Sequence, residues 1–575
     1  MKFSTVADCF ARIESIDSRN EITEMLAILL RQATPYESSI IMYLAMGFLQ
    51  PPYKAHQFSF AQKSMIKCLA ELFQESLIVV QEQVDKLGDV GSLFSLYPWE
   101  NEHSLKLTEV YDALVHFEAI NGTGSQEQKS IFFQQLLRKL DAHSAKYVVR
   151  MVLGTLRLGF SDMTLLDALS WMVSNDKSNK LLLEAAYNRC ADLGLIARVF
   201  KEFGIEGVNA IDITIGIPIR PAAADRLSDA TEIFEKLGPC IAQPKLDGFR
   251  VQVHLIKKHS KIEVHFFSRN LLDMSDMFPE LVSAAYTLPA DTLIVEGEAI
   301  VFDANLGQFL PFQETVKRKR KHGIEEAAQD YPLQLYLFDI LYYNGASMLN
   351  VPHAQRYALL QRICSESHKT IYPISQKTIT SEEDLREYFL EEIGAGLEGI
   401  VVKKPDAIYQ PGKRNSNWIK LKYHGDEKLN DTIDVVILGY YSGHGRRSAF
   451  QIGAFLVGIY NPDNACFETI AKVGTGMDDA QWIELKKKCD EHALKEQPHN
   501  IICHKNLAPK VWVDPKIVCE VLADEITVSP SHTAGKDKNK LGIALRFPRF
   551  VRYRTDKDPE QTTSLEELAT LVKSK

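Results

Sequence analysis

Several things are scarce in this sequence, and each scarcity closes off a class of explanation. None of the 575 residues falls in an apolar run of about 20, the length a membrane-spanning helix needs, and residues 1–10 lack the charged-then-apolar pattern of a secretory signal. No membrane association is expected. The nine cysteines are scattered and no two form a C-x-x-C pair, which argues against zinc ribbons and against a disulfide framework. Reduced thiols are therefore expected, in a cytoplasmic setting or, in a eukaryote, a nuclear one. Positive charge is not in excess either. The net charge is −9, so any contact with nucleic acid must come from local patches. Internal repeats and long low-complexity segments are absent, while 45% hydrophobic and 25% charged residues are ordinary for a soluble globular protein. The length suits about three or four domains.

What is present is organised around Gln243-Pro244-Lys245-Leu246-Asp247-Gly248-Phe249-Arg250. A lysine, a carboxylate, a glycine and an arginine lie within six positions, after a turn signal (Leu237-Gly238-Pro239) and before an alternating strand at 251–256. A lysine acts as a nucleophile only when its surroundings favour the neutral amine, and nearby cations do that. Gly248 lets the backbone approach a ligand closely, and Arg250 offers a planar fork to phosphate or ribose oxygens. Taken alone, K-x-D-G-x-R also reads as a charged turn between strands.

The chain divides into three textures. The first two hundred residues read as helical, with Met65, Leu69, Leu72 and Phe73 on one face of an amphipathic stretch at 64–87 that Gly88 stops. Further stretches follow at 105–120, 127–140, 146–158 and 165–173. Their basic residues Lys146, Arg150 and Arg157 are candidates for clamping a duplex by its phosphates, against a plain reading as a solvated face. Near 213–221 two prolines and a glycine end the helical pattern. Strands are then expected at 251–256, 262–267, 293–302, 333–340, 399–403 and 418–422, with a helical segment near 277–286. A second break at Tyr423-His424-Gly425-Asp426 precedes strands at 433–441, 451–460 and 511–521, a pattern suited to a small β-barrel.

The middle region holds most of the chemistry. Glu296 and Glu298 are two apart on a strand and are expected on one face, as are Lys420 and Lys422. Glu398 opens another strand that ends at Lys403. With Lys245 these supply carboxylates for a hard divalent cation and cations for a polyphosphate, the equipment of nucleotidyl transfer. Each piece alone also reads as strand-edge charge. Their order downstream of one K-x-D-G-x-R does not.

These stretches resemble the motifs of one family. KLDGFR (245–250) is similar to its first motif and Ser268-Arg269-Asn270 to the arginine motif after it. VEGEAIVFD (295–303), LYLFDILYYNG (335–345), EGIVVKK (398–404), WIKLK (418–422) and RFPRFVRYRTDKDPE (546–560) follow in the family's order. LPFQETVKRKRKHGI (310–324) and KYVVRMVLGTLRLGF (146–160) are similar to further family stretches. Over nearly its whole length the chain resembles an ATP-dependent DNA ligase of the archaeal and eukaryotic nuclear kind, within the covalent nucleotidyltransferase superfamily. The resemblance implies a multidomain fold: an all-α DNA-binding domain at 1–213, an α+β adenylation (nucleotidyltransferase) domain at 220–424 and an OB-fold β-barrel at 426–575.

The resemblance also implies roles. Lys245 would attack the α-phosphate of ATP and carry AMP, which passes to a 5′-phosphate at a nick in double-stranded DNA before the 3′-hydroxyl displaces it. Arg250 and Arg269 would contact ribose and phosphates, and Phe338 would stack on adenine. Glu298 and Glu398 would serve Mg2+ (or Mn2+), Glu298 sharing contact with the ribose. Arg414, Lys420 and Lys422 would neutralise phosphate charge, with Lys403 nearby. Many members have glutamate where this chain has Gln243, whose amide oxygen can still accept from the adenine amino group. Arg554, Asp556 and Lys557 would close the terminal barrel over the nucleotide. They lie in a basic segment, 536–558, that holds eight cations (Lys536, Lys538 and Lys540 among them) against Asp537, Asp556 and Asp558. A monomer is expected, with a sliding clamp as a candidate partner.

Neighbouring readings fit less well. NAD-dependent ligases usually carry a nicotinamide-binding module before the lysine and a four-cysteine zinc site after it, whereas here a long helical region precedes Lys245. Capping guanylyltransferases and RNA ligases do not typically carry such a helical region. The run Lys317-Arg318-Lys319-Arg320-Lys321 could pass for a nuclear import signal, but its place in a family-like segment favours a DNA-facing or solvated loop. QEQKSIFF (126–133) loosely resembles a clamp-binding box. Lys129 stands where an aliphatic residue belongs, and Phe132, Phe133, Leu136 and Leu137 suit a buried helical stripe, so core packing is expected.

Overall fold

In the computed structural model, residues 1–54, 58–99, 105–156, 158–258, 261–303, 308–310, 312–320, 323–364, 370–422, 432–443, 447, 450–523, 525–536 and 541–568 are described. Arg157, Lys321, the break at 423–426, Asp537, Lys538 and Lys540 lie outside them. The chain divides into two compact units. One comprises Met1–Phe60, Asn101–Tyr147 and Met151–Tyr423, the other Ala61–Glu100, Val148–Arg150 and His424–Lys575.

The helices of the first unit form for local reasons. Thr34 caps Pro35–Ala45 in a reciprocal box with Glu37, and Ser18 caps Arg19–Gln32. Pro35–Ala45 packs on Leu193–Asn209, and Arg19–Gln32 on Asp162–Ser174. Asp192, the cap of Leu193–Asn209, also accepts hydrogen bonds from the hydroxyls of Tyr43 and Tyr53. The loose clamp-box match is core, as expected: Phe133 and Leu137 are fully buried, and Lys129 Nζ donates to Phe58 O.

Two sheets follow in the same unit. The five-stranded sheet runs in the order Ala223–Arg226, Arg414–Lys422, Gly399–Lys403, Cys240–Pro244, Lys377–Ile379. The seven-stranded sheet has the path Lys261–Ser268, Phe249–Lys258, Thr292–Asp303, Leu333–Tyr343, Ala346–Ser347, with two short strands at its margins. One apolar core packs helices Pro279–Ala285 and His353–Cys364 on the larger sheet, and another packs Ala230–Leu237 and Glu382–Gly394 on the smaller. A third joins Ile294 and Leu341 of the larger sheet to Ile219, Tyr409 and Trp418. Strand Cys240–Pro244 belongs to the smaller sheet and Phe249–Lys258 to the larger, so Lys245-Leu246-Asp247-Gly248 is the crossing between them.

In the second unit, Ile433–Tyr441 is flanked by Ala454–Asn461 on one side and by Val511–Val513 and Val518–Leu522 on the other. Arg549–Tyr553 pairs with Val518–Leu522. Helix Asp479–Glu491 buries Trp482, Leu485 and Cys489 against this sheet's core. Two runs expected as single elements are divided. The stretch at 64–87 is two helices, Gln62–Phe73 and Leu77–Leu87, because Gln74 takes a left-handed conformation (φ 58°) and Ser76 caps a new start. The run at 511–521 breaks at Asp514-Pro515 into two strands, since proline cannot continue the ladder.

No helix among the described residues is long and apolar enough to cross a membrane. None of the nine cysteines, all among the described residues, is in a disulfide.

Candidate active site

The first unit holds a cavity of about 1960 Å³ lined from both sheets. Lys245 reaches it because its main chain is pinned. Pro244 pairs with Ile400, and the Lys245 N–H donates to Gly399 O at 2.8 Å. Glu398, one residue before that strand, accepts from the Nζ of both Lys245 and Lys422. Burial pushes the Glu398 carboxyl up, but the charges and hydrogen bonds of the two lysines outweigh it and hold the group below its usual value. Gly399 has φ 143°, and a Cβ there would lie 2.2 Å from Leu421 O. Only glycine lets the strands close at this point.

Glu298 lies on the larger sheet's side of the crossing and accepts from the Gly248 N–H at 3.2 Å. Burial pushes its carboxyl up to about 7, with Lys245 and Arg250 pulling the other way. The charge of Lys245 therefore acts on both carboxylates assigned to a metal. Glu296, expected on one face with Glu298, sits in a different setting from it. It is almost fully buried, and it binds Arg250 at 2.9 Å and the Tyr409 hydroxyl at 2.7 Å. Arg250 also donates to Ala222 O at 2.7 Å and lies 5.4 Å from the Phe338 ring centre. This end of the cavity is thus a preformed wall rather than a set of mobile charges. Tyr409 belongs to no motif and was not legible in the sequence.

Phe338 lines the cavity. Lys403 lies 5.0 Å from its ring centre and 4.2 Å from that of Trp418, and donates to Phe338 O at 3.1 Å. Burial lowers Lys403 to about 7, Asp339 opposing and Arg356 reinforcing the shift. Lys403, expected near the phosphates, does line the cavity, but it is almost fully buried against the Phe338 and Trp418 rings. Gln243 is buried at the cavity wall, with its amide toward Gln376 at 3.4 Å. Arg269 and Arg414 are exposed and line the same cavity, as does Lys420. Burial and then the charges of Lys422, Lys245 and Arg414 lower the Lys420 ammonium.

Some basic residues singled out by sequence are occupied. Lys146 pairs with Glu14 at 2.9 Å and Arg150 with Asp89 at 3.0 Å. In the basic run Arg318 is buried, bonded to Glu280 at 2.6 Å, so the run is not a wholly solvated loop. Lys319 and Arg320 do line the cavity.

In the second unit the side chains of Arg554, Asp556 and Lys557 are brought together. Arg554 binds Asp556 through Nε and Nη2 at 2.9 and 2.8 Å. Its Nη1 binds Asp434, which Lys557 Nζ also reaches at 2.6 Å. Asp434 was not singled out from sequence.

The motifs so arranged match known proteins along the chain. Residues 2–170 match the DNA ligase N terminus, 221–422 the ATP dependent DNA ligase domain and 448–557 the ATP dependent DNA ligase C terminal region. A probable DNA ligase of Dictyoglomus turgidum is 41% identical over 99% of this chain and 97% of its own length. DNA ligase 2 of Thermofilum pendens is 36% identical over 100% of this chain and 98% of its own. The solved structure Pmar-Lig_Pre covers 96% of this chain and 99% of that one at 17% identity, with a TM-score of 0.55, a shared fold. Helical N-terminal region, nucleotidyltransferase middle domain and β-rich C-terminal domain, the chain belongs to the family of ATP-dependent DNA ligases.

Proposed function

We propose that Lys245 is the residue through which this ATP-dependent DNA ligase seals nicks in duplex DNA, the closing step of strand joining in replication, repair and recombination. The observation that carries the assignment is its place at the crossing between two sheets, beside Glu398 and Glu298 and on a cavity lined by Arg269, Arg414 and Lys420. The neutral amine of Lys245 attacks the α-phosphorus of ATP. A P–N bond forms, the bond to the pyrophosphate oxygen breaks, and AMP remains on the lysine. AMP then passes to the 5′-phosphate at the nick, and the 3′-hydroxyl displaces it.

Before attack, Lys245 must leave its ion pair with Glu398. A polyphosphate helps, because it gives Lys422 and Lys420 a second anion to hold. Phe338 stacks on the adenine, with Lys403 and Arg250 close to its ring. Arg250 and Arg269 reach ribose and phosphate, and Gln243 accepts from the adenine amino group.

Glu298 and Glu398, flanking the nucleophile, fit Mg2+ (or Mn2+), a cation that takes one or two protein carboxylates plus substrate phosphates. When bound it offsets charge on the phosphates. Among the described residues no group of three or more candidate ligands lies together, so Glu298 and Glu398 would hold the cation jointly with the substrate's phosphates.

Three domains at 1–213, 220–424 and 426–575, the last an OB-fold, complete the proposal. The C-terminal domain brings Arg554, Asp556 and Lys557 to the pyrophosphate during adenylation and withdraws for DNA. We further propose a monomer acting where the DNA is kept, the cytoplasm or, in a eukaryote, the nucleus. A sliding clamp would dock elsewhere than 126–133, whose Lys129 and Phe133 are spent on the core.

The test is incubation of the full chain with α-labelled ATP or GTP and Mg2+, followed by detection of label on the protein. A covalent ATP label that Lys245→Ala removes is expected. Label from GTP in preference would favour a capping-type guanylyltransferase, and label retained by Lys245→Ala would remove Lys245 from the mechanism.

A further inference from the structure

Arg554 and Lys557 come from the segment after the last strand of the C-terminal unit, and what holds them together is 120 residues away in sequence. Asp434 sits near the start of strand Ile433–Tyr441, and its side chain is 11% exposed. Its Oδ1 and Oδ2 accept from Arg554 Nη1 at 2.9 and 3.0 Å, and Oδ2 also accepts from Lys557 Nζ at 2.6 Å. Its main chain is fixed as well: the Asp434 N–H donates to Thr563 Oγ1, and Asp434 O accepts from the Thr563 N–H, both at 3.0 Å. Arg554 is tied in turn by its own N–H to Val518 O at 2.9 Å.

The sheet explains why Asp434 takes these two cations rather than Arg552. Asp434 pairs with Glu520 on Val518–Leu522, and Glu520 pairs with Arg552 on Arg549–Tyr553. Neighbours in register share a face, and Glu520 takes Arg552. Arg554 and Lys557 are left to Asp434. The other carboxylate on Arg554, Asp556, is 64% exposed. An exposed pair gives way to a competing anion at little cost, while separating a buried charge from its partners is strongly unfavourable. Asp556 is thus the exchangeable partner of Arg554, and Asp434 the fixed one.

We infer that Asp434 is a positioning residue for nucleotidyl transfer: it holds Arg554 and Lys557 side by side, so that the C-terminal domain meets the leaving pyrophosphate with its two cations already in place. The inference rests on the reading that these cations act on the pyrophosphate. Without Asp434 the same charges remain, but two long side chains must be ordered in each cycle, and a misplacement of about 1 Å costs on the order of 100-fold in rate.

The experiment measures two reactions on each full-length variant: the rate of AMP-adduct formation across ATP concentrations, and sealing of a nick already adenylated at its 5′ end. Asp434→Asn should slow adduct formation at saturating ATP by roughly 100-fold, with a smaller shift in the ATP concentration for half-maximal rate. Sealing on the same preparation should stay within about twofold, which also reports that the protein is folded. Added to Arg554→Ala/Lys557→Ala, Asp434→Asn should cost nothing further, because a residue acting through others is not additive with them. If the double variant loses the adduct and Asp434→Asn keeps it or speeds it, Asp434 is not a positioning residue, though the reading of the cations stands. Parallel loss of both reactions in Asp434→Asn would mark a role in the fold alone and overturn the inference. If Arg554→Ala/Lys557→Ala forms the adduct normally, the underlying reading fails.

Discussion

One carboxylate gripping two cations occurs twice in this chain, in different settings. Glu398 holds Lys245 and Lys422 beside an open cavity, with its side chain 28% exposed. Asp434 holds Arg554 and Lys557 at 11% exposure, with its backbone sewn to Thr563. On the proposed mechanism one cation of the first pair is the nucleophile and has to come free, so a weak and accessible grip is useful. On the same proposal neither cation of the second pair forms a bond, and a firm grip would keep them aligned. Similar contact geometry would then serve release in one place and retention in the other, and what separates the two is solvent access.

The largest effect should come from the released lysine. Lys245→Ala is expected to give no labelled protein with ATP. Lys245→Arg should fail as completely, since a guanidinium stays protonated and cannot attack. Adduct formation by the arginine variant would mean that the grip on Lys245 is not one from which a nucleophile is released.

Next is the retained pair. Arg554→Ala/Lys557→Ala should abolish ATP-dependent labelling but leave sealing of a pre-adenylated nick intact, because no pyrophosphate departs in that step. A normal adduct with failed sealing would make the segment a DNA grip instead. Glu398→Gln sharpens the contrast. It should slow both adduct formation and sealing by about 10²–10³-fold, the range for losing one electrostatic contact to a transition state, while shifting stability by no more than roughly 1 kcal/mol. Selective loss of the adduct alone would make Glu398 resemble Asp434.

The smallest effect is a slope. Folding raises the Glu298 carboxyl from 4.5 to about 7, so between those values the folded chain binds a proton that the unfolded chain has lost. Stability contributed by this group therefore falls as pH rises through that window. Glu298→Gln should flatten that part of the thermal midpoint against pH. An unchanged slope would show that the carboxyl is not raised.

The motifs made the middle domain legible, because each brackets a strand with charge at a period of two. By that logic Lys245, Glu398, Lys420 and Lys422 were expected together, and the structure brings Glu398 to both Lys245 and Lys422 and sets Lys245 and Lys420 on one cavity. What the period of two does not report is depth. Glu296 and Glu298 share it, yet one is sealed under Arg250 and Tyr409 and the other meets the cavity. Lys403 and Arg318 looked like free cations for the same reason, since burial comes from neighbours distant in sequence. Asp434 was invisible because its partners Arg554 and Lys557 are 120 and 123 residues away. Local chemistry misled less often in helices, although Gln74 shows that one left-handed residue can divide a continuous apolar stripe.

Gly399 draws these threads to a single atom that is not there. Its carbonyl receives the Lys245 N–H, its register partner is Lys422, and Glu398 is its neighbour in the chain. Three charges of the site are thus hung on a residue without a side chain, in a gap too narrow for a methyl group. The proposed nucleophile would be disarmed with every charged residue intact, simply by filling a space.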